Sequence, residues 1–382
     1  MRLGKVIKVG IIHKTTFSRY GGGGGEVLSL ELASVLKELG FGIIYITEDL
    51  YDWRYYNRIS DVDLRVDGEI ALRRPPLFKA YDVFLDMFRL SVLRRSIGLD
   101  LVINTNGGAA PIPFVDVTYI HSPLRVNLWR SWSSFRKAYL LSLNHIIRWF
   151  SIHGKLGLIL TNSRFTRMEI RKFMGSNSVV LYPPVDVERY MRYMDVERRD
   201  RLVVSIGRFV PKKRYEDLIE IASKVNDAKF IIIGTISDLN YLRSIVRLVK
   251  DRNLSNVIIK PNASFQEKLE ILSKARIYLH TARTERFGIS IVEGMAAGCV
   301  PIVYRSRGPW LDILEEKQGV HGFAYRNLDE AVSMINNVLN DDRLSREIVN
   351  NNKAHVLKFS RDTFRKKVSL IVNKILKARG LL

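Results

Sequence analysis

Residues 202–304 alternate between short apolar runs and amphipathic stretches in a pattern that few folds accept. The runs at 202–206, 230–233, 256–260, 277–280 and 299–304 have strand length, and 215–225, 238–251, 264–274 and 289–297 between them have helical spacing. Strands joined through helices pair in parallel, because only a parallel pair needs so long a crossover. Such a sheet is covered on both faces and takes ligands beyond the carboxyl ends of its strands. The first half repeats the scheme less regularly, with strands predicted at 6–12, 42–47, 101–104, 115–120, 158–161 and 179–181 and a helix at 26–39 ending at Gly40. Residues 48–98 are poorly patterned apart from a helix-like 84–97. A chain of 382 residues exceeds one comfortable core. The alternation breaks near 184–200, so two Rossmann-like α/β domains facing each other are expected, at 1–184 and 185–358, with 359–382 as a separate C-terminal helix.

The chemistry gathers after the predicted strands. Residues 284–298 place Glu285 and Glu293 on either side of Phe287-Gly288, where a helix begins with Ile289 and Ser290. A helix start offers free backbone N–H groups and a positive dipole end to a phosphate. Glu293 is placed to accept hydrogen bonds from a ribose and Glu285 from a second polyol, and a phosphate between two polyols describes a nucleotide sugar. Arg208 and Lys213 follow the strand at 202–206 and can neutralise a diphosphate as it leaves, whereas Lys212 and Arg214 read as solvated neighbours. His121-Ser122-Pro123 also follows a predicted strand. The run Gly21 to Gly25, including Gly23 and Gly24, precedes a helix without the lysine of a P-loop. Asn162-Ser163 reads either as part of a ligand cleft or as an ordinary helix cap.

The Glu285…Glu293 spacing with its Phe-Gly, the Gly207-Arg208-Phe209…Lys213 segment, Gly-Gly-Gly-Gly-Glu, His-Ser-Pro and Tyr182-Pro183-Pro184-Val185-Asp186 together resemble retaining glycosyltransferases of family 4. Among them, the pattern is most similar to α-1,2-mannosyltransferases that extend lipid-linked N-glycan precursors. The resemblance implies a GT-B fold, two Rossmann-like domains across a cleft with the last helix crossing back to the N-terminal one. It also implies front-face transfer of a mannose or glucose from a GDP- or UDP-sugar to a polyprenyl-linked or other glycan acceptor. Arg208 and Lys213 would hold the leaving diphosphate, Glu285 the sugar, Glu293 the ribose, and His121 the transferred sugar and incoming hydroxyl. Gly23, Gly24, Phe287, Gly288, Ile289 and Ser290 would line the donor.

No cofactor or metal is expected. Asp61-Val62-Asp63 lies away from the motifs, and no His/Cys cluster has zinc spacing. The single cysteine, Cys299, sits in an apolar run and reads as a buried thiol in a reducing compartment. The net charge is +22, and residues 121–175 carry ten Lys or Arg against the single acid Glu169. Aromatic residues interleave with them, the composition of a surface that rests on anionic lipid. The opposing reading is a core helix whose stripe runs through Leu128, Trp132, Phe135, Tyr139, Ile146 and Phe150. With neither a signal-peptide region nor a spanning run, the expected location is cytoplasmic, peripheral on the membrane. Rival readings are a nucleotide-sugar epimerase or glycosyl phosphorylase of similar architecture and a non-catalytic membrane-associated subunit. A nucleic-acid binder is disfavoured because it leaves the motifs unexplained.

Overall fold

The computed structural model describes residues 6–13, 24–47, 64–72, 92–109, 115–123, 134–153, 156–194 and 200–381, with Leu50, Trp53 and Arg89. The chain divides into two compact units, residues 1–183 with 364–382, and residues 184–363.

The first unit is built on β1 (Lys8–Ile12), α1 (Gly24–Glu38), β2 (Gly42–Thr47), β3 (Gly68–Ala71), β4 (Leu101–Ala109), β5 (Val117–Pro123), α2 (Ser134–Ile152), β6 (Leu158–Thr161), α3 (Arg164–Met174) and β7 (Val179–Val180). Its sheet is parallel in the order β3-β2-β1-β4-β5-β6-β7, so the order reverses between β1 and β4. The strands are apolar throughout because both faces are covered. Ile11, Tyr45 and Ile103 meet Leu28, Leu32 and Leu36 of α1, while Ile12, Ile46 and Val102 pack on the opposite side. β5 runs through His121, Ser122 and Pro123, so these residues lie in the strand rather than after it. Ser163 caps α3 by accepting the Thr166 N–H at 3.0 Å, while Asn162 donates to the His121 carbonyl at 3.3 Å.

α2 buries Leu143 and Ile147 against Ile120, Ile159, Ile170 and Met174. Of the stripe in the opposing reading, Ile146 and Phe150 are half-buried. Its outer side shows Trp149 and Ile152, 47% and 76% exposed, beside the exposed Arg148. Leu128 and Trp132 lie outside the described residues, as do the side chains of Phe135 and Tyr139.

The second unit follows with α4 (Val187–Met191), β8 (Leu202–Ile206), α5 (Tyr215–Lys224), β9 (Lys229–Gly234), α6 (Leu239–Asp251), β10 (Val257–Pro261), α7 (Phe265–Lys274), β11 (Ile277–His280), α8 (Ile289–Ala296), β12 (Val300–Tyr304), β13 (Phe323–Tyr325), α9 (Leu328–Asn340) and α10 (Asp342–His355). Its sheet, also parallel, runs β10-β9-β8-β11-β12-β13 and reverses between β8 and β11. Cys299 is buried, its Sγ 3.4 Å from the Ala275 carbonyl oxygen.

The last helix, α11 (Arg361–Ala378), starts in the second unit and continues into the first. Phe364, Val368, Val372 and Leu376 join the α1 side of the first core, with Arg379 bonded to Asp116. Residues 359–363, expected with the C-terminal segment, group with the second unit, although 361–363 already form the first turn of α11, because Ser360 bridges to Val185 and Arg361 donates to Asp186 at 3.2 Å.

Candidate active site

In an open parallel sheet, neighbouring crossovers leave a crevice where the strand order reverses. In the second unit that point lies between β8 and β11, and the segments leaving these two strands carry the predicted residues. A short 3-10 turn at Pro211–Lys213 follows β8. From it, the Lys213 ammonium donates to Glu285 Oε2 at 2.8 Å, joining the loops after β8 and β11. Burial pushes the Glu285 carboxyl up, but Lys213 and His280 outweigh it and hold it well below the usual range. Glu285 Oε1 accepts the Arg286 N–H at 3.2 Å, so its own backbone also fixes the carboxylate.

Positive charge surrounds this carboxylate. Arg208 is exposed. Lys212, expected to be an unengaged neighbour, is drawn below the usual lysine range by partial desolvation first and then by Arg208. Arg286 is likewise lowered by burial first and then by Arg307. This crowding of like charges prepares a polyanion site, since the protein has already met the cost of assembling the cations. Arg214, by contrast, is engaged in a two-bond pair with Asp217 at 2.6 and 2.7 Å.

α8 begins beside Glu285. Gly288 adopts φ 102°, and no side chain caps the helix. The positive φ favours glycine, and a Cβ at Gly288 would also lie 2.5 Å from Ile291 Cδ1, which would have to shift. Phe287 is buried edge-on to Phe359, with 5.5 Å between ring centroids, anchoring the turn. Ile289 and Ser290 are half-buried in the first turn. One turn on, Glu293 Oε1 accepts from Tyr190 at 2.9 Å and Lys268 at 3.1 Å. Tyr190 and Lys268 carry no motif, and nothing in their own sequence neighbourhood marks them. Lys268 also lies 4.9 Å from the centroid of the Phe265 ring, and the Arg189 guanidinium 3.8 Å from it.

The first unit presents a separate cluster of residues just after β1 and within β4 and β5. His13 Nδ1 lies 3.0 Å from Thr105 Oγ1. His121 Nε2 is enclosed, with no hydrogen-bond partner among the described residues, and a Cβ on Gly25 would stand 3.4 Å from it. Burial first, and then His13, lower His121 to about 4 against the pull of Glu26. The imidazole is therefore neutral near pH 7. Gly24 is the exposed first residue of α1, whereas Gly23 lies outside the described residues, as does Asp61-Val62-Asp63.

Among the described residues, folding does assemble one metal-type trio that sequence spacing hid: Glu315, His321 and His355, with ligand atoms within 4.8 Å of one another. Lys358 Nζ already sits among them, 2.5 Å from Glu315 Oε1 and 3.2 Å from His355 Nδ1. The two imidazoles stack with 3.8 Å between centroids and 16° between planes. Nearly parallel rings do not aim in-plane lone pairs at one ion, so the trio forms an ion-paired stack.

Two family models tile the chain. Residues 22–189 match Glycosyltransferase Family 4, and residues 187–355 match Glycosyl transferases group 1. The chain belongs to glycosyltransferase family 4. A mouse protein named GDP-Man:Man(3)GlcNAc(2)-PP-Dol alpha-1,2-mannosyltransferase is 31% identical over 56% of this chain and 48% of its own length. Its namesake from Dictyostelium discoideum is 24% identical over 87% of this chain and 78% of its own length. The chain spans about half the length of the first of these curated relatives. A glycosyltransferase structure from Rickettsia africae matches with a TM-score of 0.73 at 16% identity, covering 98% of this chain and 100% of that one. At that identity the likeness concerns fold, and both parallel-sheet units are those of the GT-B glycosyltransferases.

Proposed function

We propose that this family 4 chain is a retaining hexosyltransferase that moves mannose from GDP-mannose to a lipid-linked glycan at a membrane surface. The observation that carries the reading is the Lys213–Glu285 pair at the β8/β11 reversal, beside the uncapped start of α8 and one helical turn from Glu293. That order of groups matches the order of parts in a nucleotide sugar. Arg208 and Lys213 take the diphosphate, with Lys212, Arg286 and Arg307 adding to the field. Glu293 takes the ribose, and Glu285 takes hydroxyls of the transferred sugar. Gly24 and Gly23 are assigned to the donor loop and His121 to the acceptor side. His121 is neutral and acts there as a hydrogen-bonding group.

As the glycosidic bond breaks, negative charge grows on the diphosphate. The arginine and lysine stabilise this charge more strongly than they stabilise the ground state, which lowers the barrier. The proposal requires neither cofactor nor metal ion. The choice of GDP-mannose and of a lipid-linked acceptor is supported by the names of the relatives, and UDP-sugars form the alternative donor class.

Membrane contact is assigned to the outer side of α2, where Trp149 and Ile152 stand among basic residues of the 121–175 segment. Among the described residues, no helix is long and apolar enough to cross a membrane. A peripheral position on the cytoplasmic face is part of this proposal. Calorimetric titration with GDP and UDP, with Arg208→Ala as control, tests the donor site. Product analysis with GDP-mannose and a polyprenyl-diphosphate glycan then tests transfer. Binding of neither nucleotide, or GDP binding unchanged in Arg208→Ala, would count against the reading.

A further inference from the structure

The chain also places a buried histidine beneath the sugar-side carboxylate. His280 closes β11, its side chain almost fully enclosed at 2% exposure. Its Nε2 is buried, has no hydrogen-bond partner among the described residues, and stands 3.5 Å from Glu285 Oε2. A buried imidazole N–H without a partner is costly, and an approach of about 0.5 Å brings this one within hydrogen-bond distance of the carboxylate. The same oxygen is held by Lys213 at 2.8 Å. A diphosphate that engages the Lys213 ammonium competes with Glu285 for it.

We infer that His280 is a positioning residue, whose Nε2–H holds the Glu285 carboxylate in place when the donor diphosphate claims Lys213. The inference rests on the proposed role of Glu285 at the transferred sugar. Burial first, and then Lys213, lower the histidine pKa, against the pull of Glu285, so the imidazole is neutral near pH 7, and its one proton is assigned to Nε2, the nitrogen that faces the carboxylate. What matters is one donor, fixed by a strand end, that the ligand does not compete for.

The test compares GDP with GDP-mannose binding by calorimetry in wild type, His280→Leu, His280→Gln, Glu285→Gln and the double variant His280→Leu/Glu285→Gln. Glutamine places its amide nitrogen near the position of Nε2 and keeps the donor; leucine keeps bulk and removes it. Expected is a loss of about tenfold in GDP-mannose affinity in His280→Leu, with GDP affinity unchanged. His280→Gln should recover most of that loss, and His280→Leu should add nothing in the Glu285→Gln background.

An equal loss for GDP and GDP-mannose without rescue by glutamine would show a packing role and overturn the inference. So would a leucine effect that persists undiminished beside Glu285→Gln, or no effect at all. If Glu285→Gln itself binds GDP-mannose as wild type does, the role of Glu285 fails, and the inference fails with it for that separate reason. Should His280→Leu not fold, His280→Gln and its single-variant affinities decide: a loss greater than about tenfold there would refute donor rescue.

Discussion

Replacing Lys213 with methionine probes the pair at the centre of the second unit. The change keeps the stem that packs near Gly207, where Lys213 Cε would lie 3.0 Å from an added Cβ, and removes only the ammonium. At 2.8 Å and an effective dielectric near 20, the Lys213–Glu285 attraction is about 6 kcal/mol before desolvation is counted. The side chains are 15% and 24% exposed, so desolvation and residual solvent offset much of that. A net loss of about 1.5–3 kcal/mol remains, the range for a charge-assisted bond. For GDP the same range means a roughly ten- to hundredfold weaker Kd, because the variant loses a phosphate partner and bares a carboxylate.

Glu285 supplies the second part of the test. Its folded-state pKa is depressed, so its contribution to stability is present above the unfolded value of 4.5 and is lost as pH falls through the folded value. The stability gap between wild type and Lys213→Met should be full at neutral pH and shrink below about pH 4. Adding Glu285→Gln should restore part of the GDP affinity by removing the bared charge. Calorimetry at neutral pH and denaturant melts across pH measure both. Wild-type GDP affinity in Lys213→Met, or a gap that widens on acidification, would refute the electrostatic argument.

Gly294→Ala should lower stability by about 1–3 kcal/mol, seen as an earlier thermal transition, because the new Cβ would stand 2.4 Å from the Tyr278 ring; an unchanged transition would mean that the ring can yield despite the bond from its hydroxyl to Ile206. Burial is the main cause that lowers His13 from 6.5 to about 4, so the unfolded chain takes up the proton first and stability falls on acidification between those values. Between about pH 7 and about pH 5 this amounts to roughly 2 kcal/mol, and melts of His13→Asn should show a flatter pH profile than wild type. Trp149→Ser with Ile152→Ser should reduce sedimentation with anionic vesicles at least about tenfold without altering GDP binding, since both side chains are exposed; unchanged sedimentation would place membrane contact elsewhere.

Much of the fold is legible because periodicity is a local property. Strands such as Leu202–Ile206 and Lys229–Gly234 are buried on both faces and show it as continuous apolar runs. The three-residue β13 is too short for any period to emerge. His121-Ser122-Pro123 reads as a turn because of its proline, yet continues β5 as its pairing with β4 extends to Pro123. On α2, Leu143 and Ile147 face the core, two residues that the stripe through Ile146 and Phe150 left out.

For the site, the sequence alone determined which residue types follow which strands: Arg208 and Lys213 after β8, and Glu285, Gly288 and Glu293 after β11. These assignments rest on neighbours in the chain. Only the tertiary structure decided that Lys213 meets Glu285, that Tyr190 and Lys268 hold Glu293, and that His280 lies against Glu285. It likewise turned three residues of unremarkable spacing, Glu315, His321 and His355, into one cluster around Lys358. The physical reason is the order of strands. A parallel sheet sets β11 beside β8, although 70 residues of chain separate Ile206 from Ile277, and no local pattern records that adjacency.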